Sequence, residues 1–209
     1  MFAGPYIVWM LIFILSPMLL ILYYAFTSDG SFTLQNLVAA AQVGNIKVLL
    51  DSIRLALYTT VLCLLLGYPV AYLLSRMKKA VATLLSVFFI VPMWMNFLLR
   101  TYAWKALLGA FTDILYTEAA VLLGMVYNFL PYMVLPIFSV IEKIDPKVIE
   151  AAQDLGANDR TVFRRIVFPL SLPGVLSGIT MVFIPSVSTF AISQLLGGGQ
   201  PVSYTHLTL

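Results

Sequence analysis

The chain has 209 residues, of which 61% are apolar and only 10% charged, and its net charge is +3. A soluble domain carries about 25% charged residues, and a soluble fold of this size cannot hide so much apolar surface, so the bilayer is its natural solvent. The basic residues are scattered rather than gathered in a stripe, which argues against a nucleic-acid partner; one cysteine and one histidine exclude a disulfide framework and speak against a zinc site.

Five uncharged runs reach the roughly 20 residues that a spanning helix needs. In chain order they are Pro5 to Phe26, Leu55 to Ser75, Ala80 to Leu99, Ala119 to Ile141 and Leu170 to Leu196. The first exceeds a secretory h-region and no Lys or Arg precedes it, so it reads as a true span. Residues 27 to 54 form a connection of mixed polarity, and Thr33 to Leu50 has room for a short interfacial helix. Cys63, in the second run, reads as a packing residue. Pro69, Pro92, Pro131, Pro136 and Pro185 fall in or near the middle of spans, where each removes a backbone hydrogen bond and favours a kink. Asn96, Asn128 and Gln194 put amides in the spans or at their ends. Together these point to a multi-helix bundle with a path or moving parts, or to amides that simply join helices.

Direction follows from the lysines and arginines. Arg76, Lys78 and Lys79 lie between spans two and three; Lys143, Lys147, Arg160, Arg164 and Arg165 lie between spans four and five. The remaining four, Lys47, Arg54, Arg100 and Lys105, occupy the other two connections. The second and fourth connections therefore face the cytoplasm, the N-terminus is cytoplasmic, and a five-span chain ends on the outer side.

The fourth connection, Glu142 to Pro169, is the one long charged segment. Asp145 followed by Pro146 is an N-cap with Pro at the first helical position. The helix runs to Leu155, with Gly156 as its C-terminal stop. Asn158 or Asp159 caps a second helix, from Arg160 to about Phe168, and Pro169 and Pro173 mark the exit into the membrane. Val148, Ile149, Ala152 and Leu155 recur at helical spacing, as do Val162, Phe163, Ile166 and Val167. An apolar ridge with a charged rim suits docking into a groove on a soluble partner. An amphipathic element lying on anionic lipid is the other reading, and Glu150, Asp154 and Asp159 weigh against it.

The same segment resembles the signature loop of ABC importer permeases: Glu-Ala-Ala, three residues, Gly, nine residues, Ile, one residue, Leu-Pro. Here stand Glu150, Ala151, Ala152, Gly156, Ile166 and Phe168-Pro169, with Phe in place of Leu. VPMWMNFLLRTYAW (Val91 to Trp104), LGYPVAYLLS (Leu66 to Ser75), Leu123 to Asp145 and LLGGG (Leu195 to Gly199) are similar to the spermidine/putrescine permease branch. The resemblance implies an all-α, polytopic helical bundle of the type I importer permease kind, over residues 1–200, with residues 142–169 as the cytoplasmic coupling loop. It implies that Glu150 contacts an ATP-binding subunit, that Ala151 and Ala152 allow close packing, that Gly156 makes the turn, and that Ile166 and Pro169 pack and end the element at the membrane. ATP and Mg would be held by that partner and no cofactor by this chain. The further partners implied are a second permease subunit and an extracytoplasmic solute-binding protein. None of the five runs contains an acidic residue, so selection of a polycation falls to the binding protein. Trp94, Asn96, Tyr127 and Asn128 are the path-lining candidates, with simple packing as the alternative for each.

Two features depart from the family pattern. The connection Arg100 to Glu118 is short, and Pro201 to Leu209 follows the glycine stretch where an apolar sixth span is expected. That tail reads as a truncated or chimeric frame, with a five-span variant as the alternative. There is no GxxxxGK[ST] loop, no internal repeat, and no nucleophile, base and orienting group at workable spacing, so neither an NTPase, a secondary transporter nor an enzyme is favoured. The open alternatives are a permease for another small solute, such as iron, sulfate or molybdate, or a non-functional permease fragment.

Overall fold

A computed structural model describes residues 3–28, 31–40, 43–111 and 114–197. Contacts divide the chain into two compact units, Met1–Leu50 and Asp51–Leu209.

The first unit holds α1 (Ala3–Met10), a π-helical turn (Leu11–Leu15) and α2 (Ser16–Phe26), with no break between them. The wide turn stands directly before Pro17, whose ring would clash with the carbonyl four residues back in a regular helix. A strand pair follows, β1 (Thr27–Ser28) and β2 (Ser31–Phe32), which the sequence reading did not anticipate. Asn36, on α3 (Gln35–Ala40), donates through Nδ2 to the Tyr24 and Thr27 carbonyls and so closes the end of α2. The helix expected in Thr33 to Leu50 is thus α3, and the segment then enters α4 (Val43–Arg76). This helix begins well before Leu55 and carries Lys47, Asp51 and Arg54 in its first turns.

In the second unit α4 is followed by α5 (Lys79–Trp94), α6 (Phe97–Phe111) and α7 (Glu118–Ile141). Next come α8 (Pro146–Asp154), α9 (Asp159–Val162), a π-helical turn (Phe163–Val167), α10 (Phe168–Ser188) and α11 (Phe190–Leu196). Among the described residues, four helical stretches are long and apolar enough to cross a membrane: Tyr6–Phe26, Ile46–Arg76, Glu118–Ile141 and Asp159–Ser188. The third expected run, Ala80 to Leu99, is not one straight helix. It is bent by 93° between α5 and α6. Pro92 lies in the last turn of α5, Met95 is extended with its N–H on the Pro92 carbonyl, and Asn96 Oδ1 accepts from the Leu98 N–H to start α6. Residues placed in a short connection, from Arg100 onward, therefore lie in a helix. By contrast α4, α7 and α10 run on through Pro69, Pro131, Pro136, Pro173 and Pro185.

The core centres on α7, which packs antiparallel to α10. Gly174 meets Pro136, Ile137 and Val140, Gly178 meets Met133, and Gly124 meets Ile192 and Leu196. Small residues let two backbones approach where apolar burial alone gives little drive in lipid. A Cβ at Gly174 would lie 2.9 Å from the Pro136 carbonyl oxygen and 3.1 Å from the Ile137 Cα. Helix α4 crosses the same face, with Gly67 against Met133 and Val134 and buried Cys63 against the Val126 carbonyl. Arg54, three turns into α4, and Glu118, at the start of α7, pair at 3.2 Å and tie the two helices.

Candidate functional site

The charged segment folds as its caps dictate. Asp145 accepts from the Lys147 N–H at 2.9 Å with Pro146 in the first helical position. At the other end of α8 the Ala157 N–H reaches the Ala152 carbonyl and the Gly156 N–H the Gln153 carbonyl. This pairing closes a helix end through a left-handed residue, here Gly156 at φ +87°. Asn158, rather than Asp159, caps the second helix through Oδ1, accepting from the Thr161 N–H.

Beyond that point the expectation needs correction. The second helix does not end at Pro169; it continues without a break from Asp159 to Ser188. Pro169 lies in the first turn of α10, directly after the π turn. The Phe168 N–H bonds the Phe163 carbonyl, five residues back. Widening the helix there accommodates the proline ring and its missing donor, so the chain absorbs the proline instead of stopping.

The apolar ridge of α8 is also divided. Ile149 and Ala152 pack on the core, whereas Val148, Ala151 and Leu155 face outward, with Leu155 90% exposed. Glu150 is exposed and borders a pocket of about 370 Å³ with Arg76, Glu142 and Gln153. Its side chain has no ion pair or hydrogen bond among the described residues. Ile166 is half-buried and packs inward.

A residue list read from the chain alone missed how this element is held. Phe163 wedges edge-on against Tyr72 (5.1 Å between ring centres) and Tyr68 (6.0 Å) of α4. Tyr68 Oη and Ser171 Oγ are 2.9 Å apart, and Ser171 donates to the Phe168 carbonyl. The loop is thereby fastened to α4 by rings and hydroxyls. The helical spacing of Val162, Phe163, Ile166 and Val167 was the available signal, but it could not name the receiving residues.

Trp94 stands at the end of α5, 84% exposed, and the exposed Asn96 caps α6. Tyr127 and Asn128 are neighbours on α7. Tyr127 meets Trp104 of α6 edge-on at 5.2 Å. Both rings line an apolar pocket of about 470 Å³. Asn128 is 1% exposed; its Nδ2 donates to the Gly124 carbonyl, and its Oδ1 has no partner among the described residues. The side chain of Gln194 and the tail 201–209 lie outside what the structure describes. Arg100 was read as a connection charge and, with Pro92, Trp94 and Asn96, as part of the Val91 to Trp104 resemblance. It is 8% exposed on α6, with Nε and Nη1 unpaired among the described residues.

Spanning helices around a small-residue interface, with a capped two-helix element at one end, make a polytopic all-α membrane protein. The chain belongs to the binding-protein-dependent transport system inner membrane component family, whose model matches residues 63–208. It is similar to the spermidine/putrescine transport system permease protein PotB of Haemophilus influenzae, 36% identical over 215 residues, covering 92% of this chain and 75% of that protein. The PotB protein of Escherichia coli K12 is also 36% identical over 215 residues, covering 92% of this chain and 78% of its own length. A third relative, the inner membrane ABC transporter permease protein YdcU of Escherichia coli K12, is 26% identical over 230 residues, covering 93% and 73%.

Proposed function

We propose that this chain is the permease subunit of an ATP-driven polyamine importer, taking its power stroke through the 142–169 loop. The outward face of α8 carries the coupling half of this reading. Val148, Ala151 and Leu155 form an apolar strip on a rigid, doubly capped helix, flanked by the free carboxylate of Glu150. Such a strip fits a groove in a soluble ATP-binding subunit, where ATP and Mg are held. Ala151 leaves room for a second backbone, and Gly156 allows the tight turn to α9. Phe163 passes the motion to Tyr68 and Tyr72. The assembly includes a second permease subunit and an extracytoplasmic binding protein, and the loop faces the cytoplasm as the lysines and arginines require.

The cargo rests on likeness to the two PotB proteins. A polycation needs carboxylates, aromatic faces or carbonyls. Trp94, Asn96, Tyr127 and Asn128 are the uncharged groups we assign to the path, with selection left to the binding protein. The Oδ1 of Asn128, without a partner among the described residues, is the acceptor we assign to an ammonium proton. Labelled spermidine uptake by cells expressing the full transporter tests the cargo, with iron, sulfate and molybdate as competitors; loss of uptake to one of those instead would reassign it. Leu155→Asp and Glu150→Gln test the coupling. Membrane insertion should be unchanged, while recovery of the ATP-binding subunit on co-purification and spermidine uptake both fall about tenfold, the 1.4 kcal/mol scale of one lost contact. Undiminished association in both variants would sink the coupling role.

A further inference from the structure

We infer that Arg160, Arg164 and Arg165 form a binding site for the phosphate headgroup of an anionic phospholipid, a role separate from docking of the ATP-binding subunit and independent of it.

The three arginines line one pocket of about 410 Å³, together with Asn158 and Thr161. None makes an ion pair or side-chain hydrogen bond among the described residues. The adjacent carboxylate makes no ion pair with the arginines, and Asp159 Oδ1 accepts from Gln153 Nε2 at 3.3 Å. Asn158 Oδ1 is taken by the N–H and Oγ1 of Thr161. What remains open in the pocket is a set of planar donor forks, the geometry that matches phosphate oxygens.

The level of the pocket selects the source of the phosphate. The arginines stand at the foot of Asp159–Ser188, a helix long and apolar enough to cross a membrane. Arg164 and Arg165 lie within the π turn. Above them, exposed apolar residues follow at helical spacing: Phe168, Leu172, Leu176 and, further up, Ile184. Phe168 is four residues from Arg164, roughly 6 Å along the axis at helical rise. The buried face of the same helix, Val167, Ser171, Gly174, Val175 and Gly178, turns the other way, with Ser171 on α4 and the two glycines on α7. The guanidinium groups therefore continue a stripe that faces out of the bundle, at the depth where acyl chains give way to headgroups. A soluble acidic partner would explain the charges but not their alignment with that stripe.

The test uses the full chain in nanodiscs containing equal parts of phosphatidylglycerol and phosphatidylcholine, with retained lipid counted by native mass spectrometry after a detergent wash. The wild type should retain phosphatidylglycerol several-fold over phosphatidylcholine, and R160Q/R164Q/R165Q should lose that preference. Equal retention of the two lipids by the wild type, or an unchanged preference in the variant, overturns the site. Should the variant fail to insert, phenylglyoxal labelling of wild-type arginines decides. Protection of the 160–165 peptide by phosphatidylglycerol vesicles and not by phosphatidylcholine supports the site; equal protection by inorganic phosphate alone makes the ligand a free anion and overturns it. A variant that keeps its lipid but no longer retains the ATP-binding subunit assigns the arginines to that protein instead.

Discussion

Gly156 and Gly174 are glycines for different reasons. At Gly156 a side chain has open space around it, but φ is +87°, so the limit is the backbone. At Gly174 the backbone is ordinary helix and the limit is the Pro136 carbonyl and the Ile137 Cα. Gly178 is intermediate, because its nearest neighbour is the end of the flexible Met133 side chain, at 2.7 Å. Gly174→Ala should therefore destabilise the protein more than Gly178→Ala, by about 1–3 kcal/mol if the helices must part. Thermal unfolding in detergent checks the order, and equal shifts for the two variants would contradict it. The left-handed stop at Gly156 was readable from the chain, since a glycine between two capped helical patterns has few other uses. The pressure on Gly174 was not, because its partner lies on a helix far away in sequence.

At the scale of elements, the second half of the loop and the span that follows it form one continuous helix. In the proposed coupling, a push on α8 crosses only the Gly156 turn before it reaches the rod formed by the uninterrupted helix Asp159–Ser188. Phe163 sets where that rod bears on α4. Phe163→Ala removes both ring contacts to α4, each worth about 0.5–1.5 kcal/mol beyond area burial. The expected outcome is uncoupling: the ATP-binding subunit still associates and hydrolyses, while substrate uptake per ATP falls several-fold. Uptake and hydrolysis falling in parallel would show that Phe163 acts on docking instead. Caps and helix starts in this segment were legible because Asp145, Asn158 and Gly156 act locally. The ending assigned to Pro169 was not, because a proline can be met by a stop or by a widened turn. Packing of Val162 and Val167 in the core and of Phe163 on α4 keeps the helix going.

For the whole molecule, the orientation argued from the lysines and arginines makes a direct prediction. Cys63 is fully buried, so the native chain gives little background to a membrane-impermeant thiol reagent. Cysteines introduced at Lys78 and Asn158 should resist labelling in intact cells and react after permeabilisation, whereas one at Tyr116 should react in both. Labelling of Lys78→Cys in intact cells would invert the topology and with it the placement of the loop.

Composition and charge pattern by themselves determined that this chain lives in a bilayer, roughly where it crosses, and where one charged element turns. These are properties of transfer energy, backbone capping and left-handed φ, each set within a few residues. Only the tertiary structure decided that Ala80 to Leu99 bends by 93° at Asn96, that Arg100 is buried, that α8 divides its ridge between core and surface, and that the loop runs straight into a span. Those outcomes depend on which distant backbone or ring occupies the facing side, and the same local pattern is compatible with more than one neighbour until the helices pack.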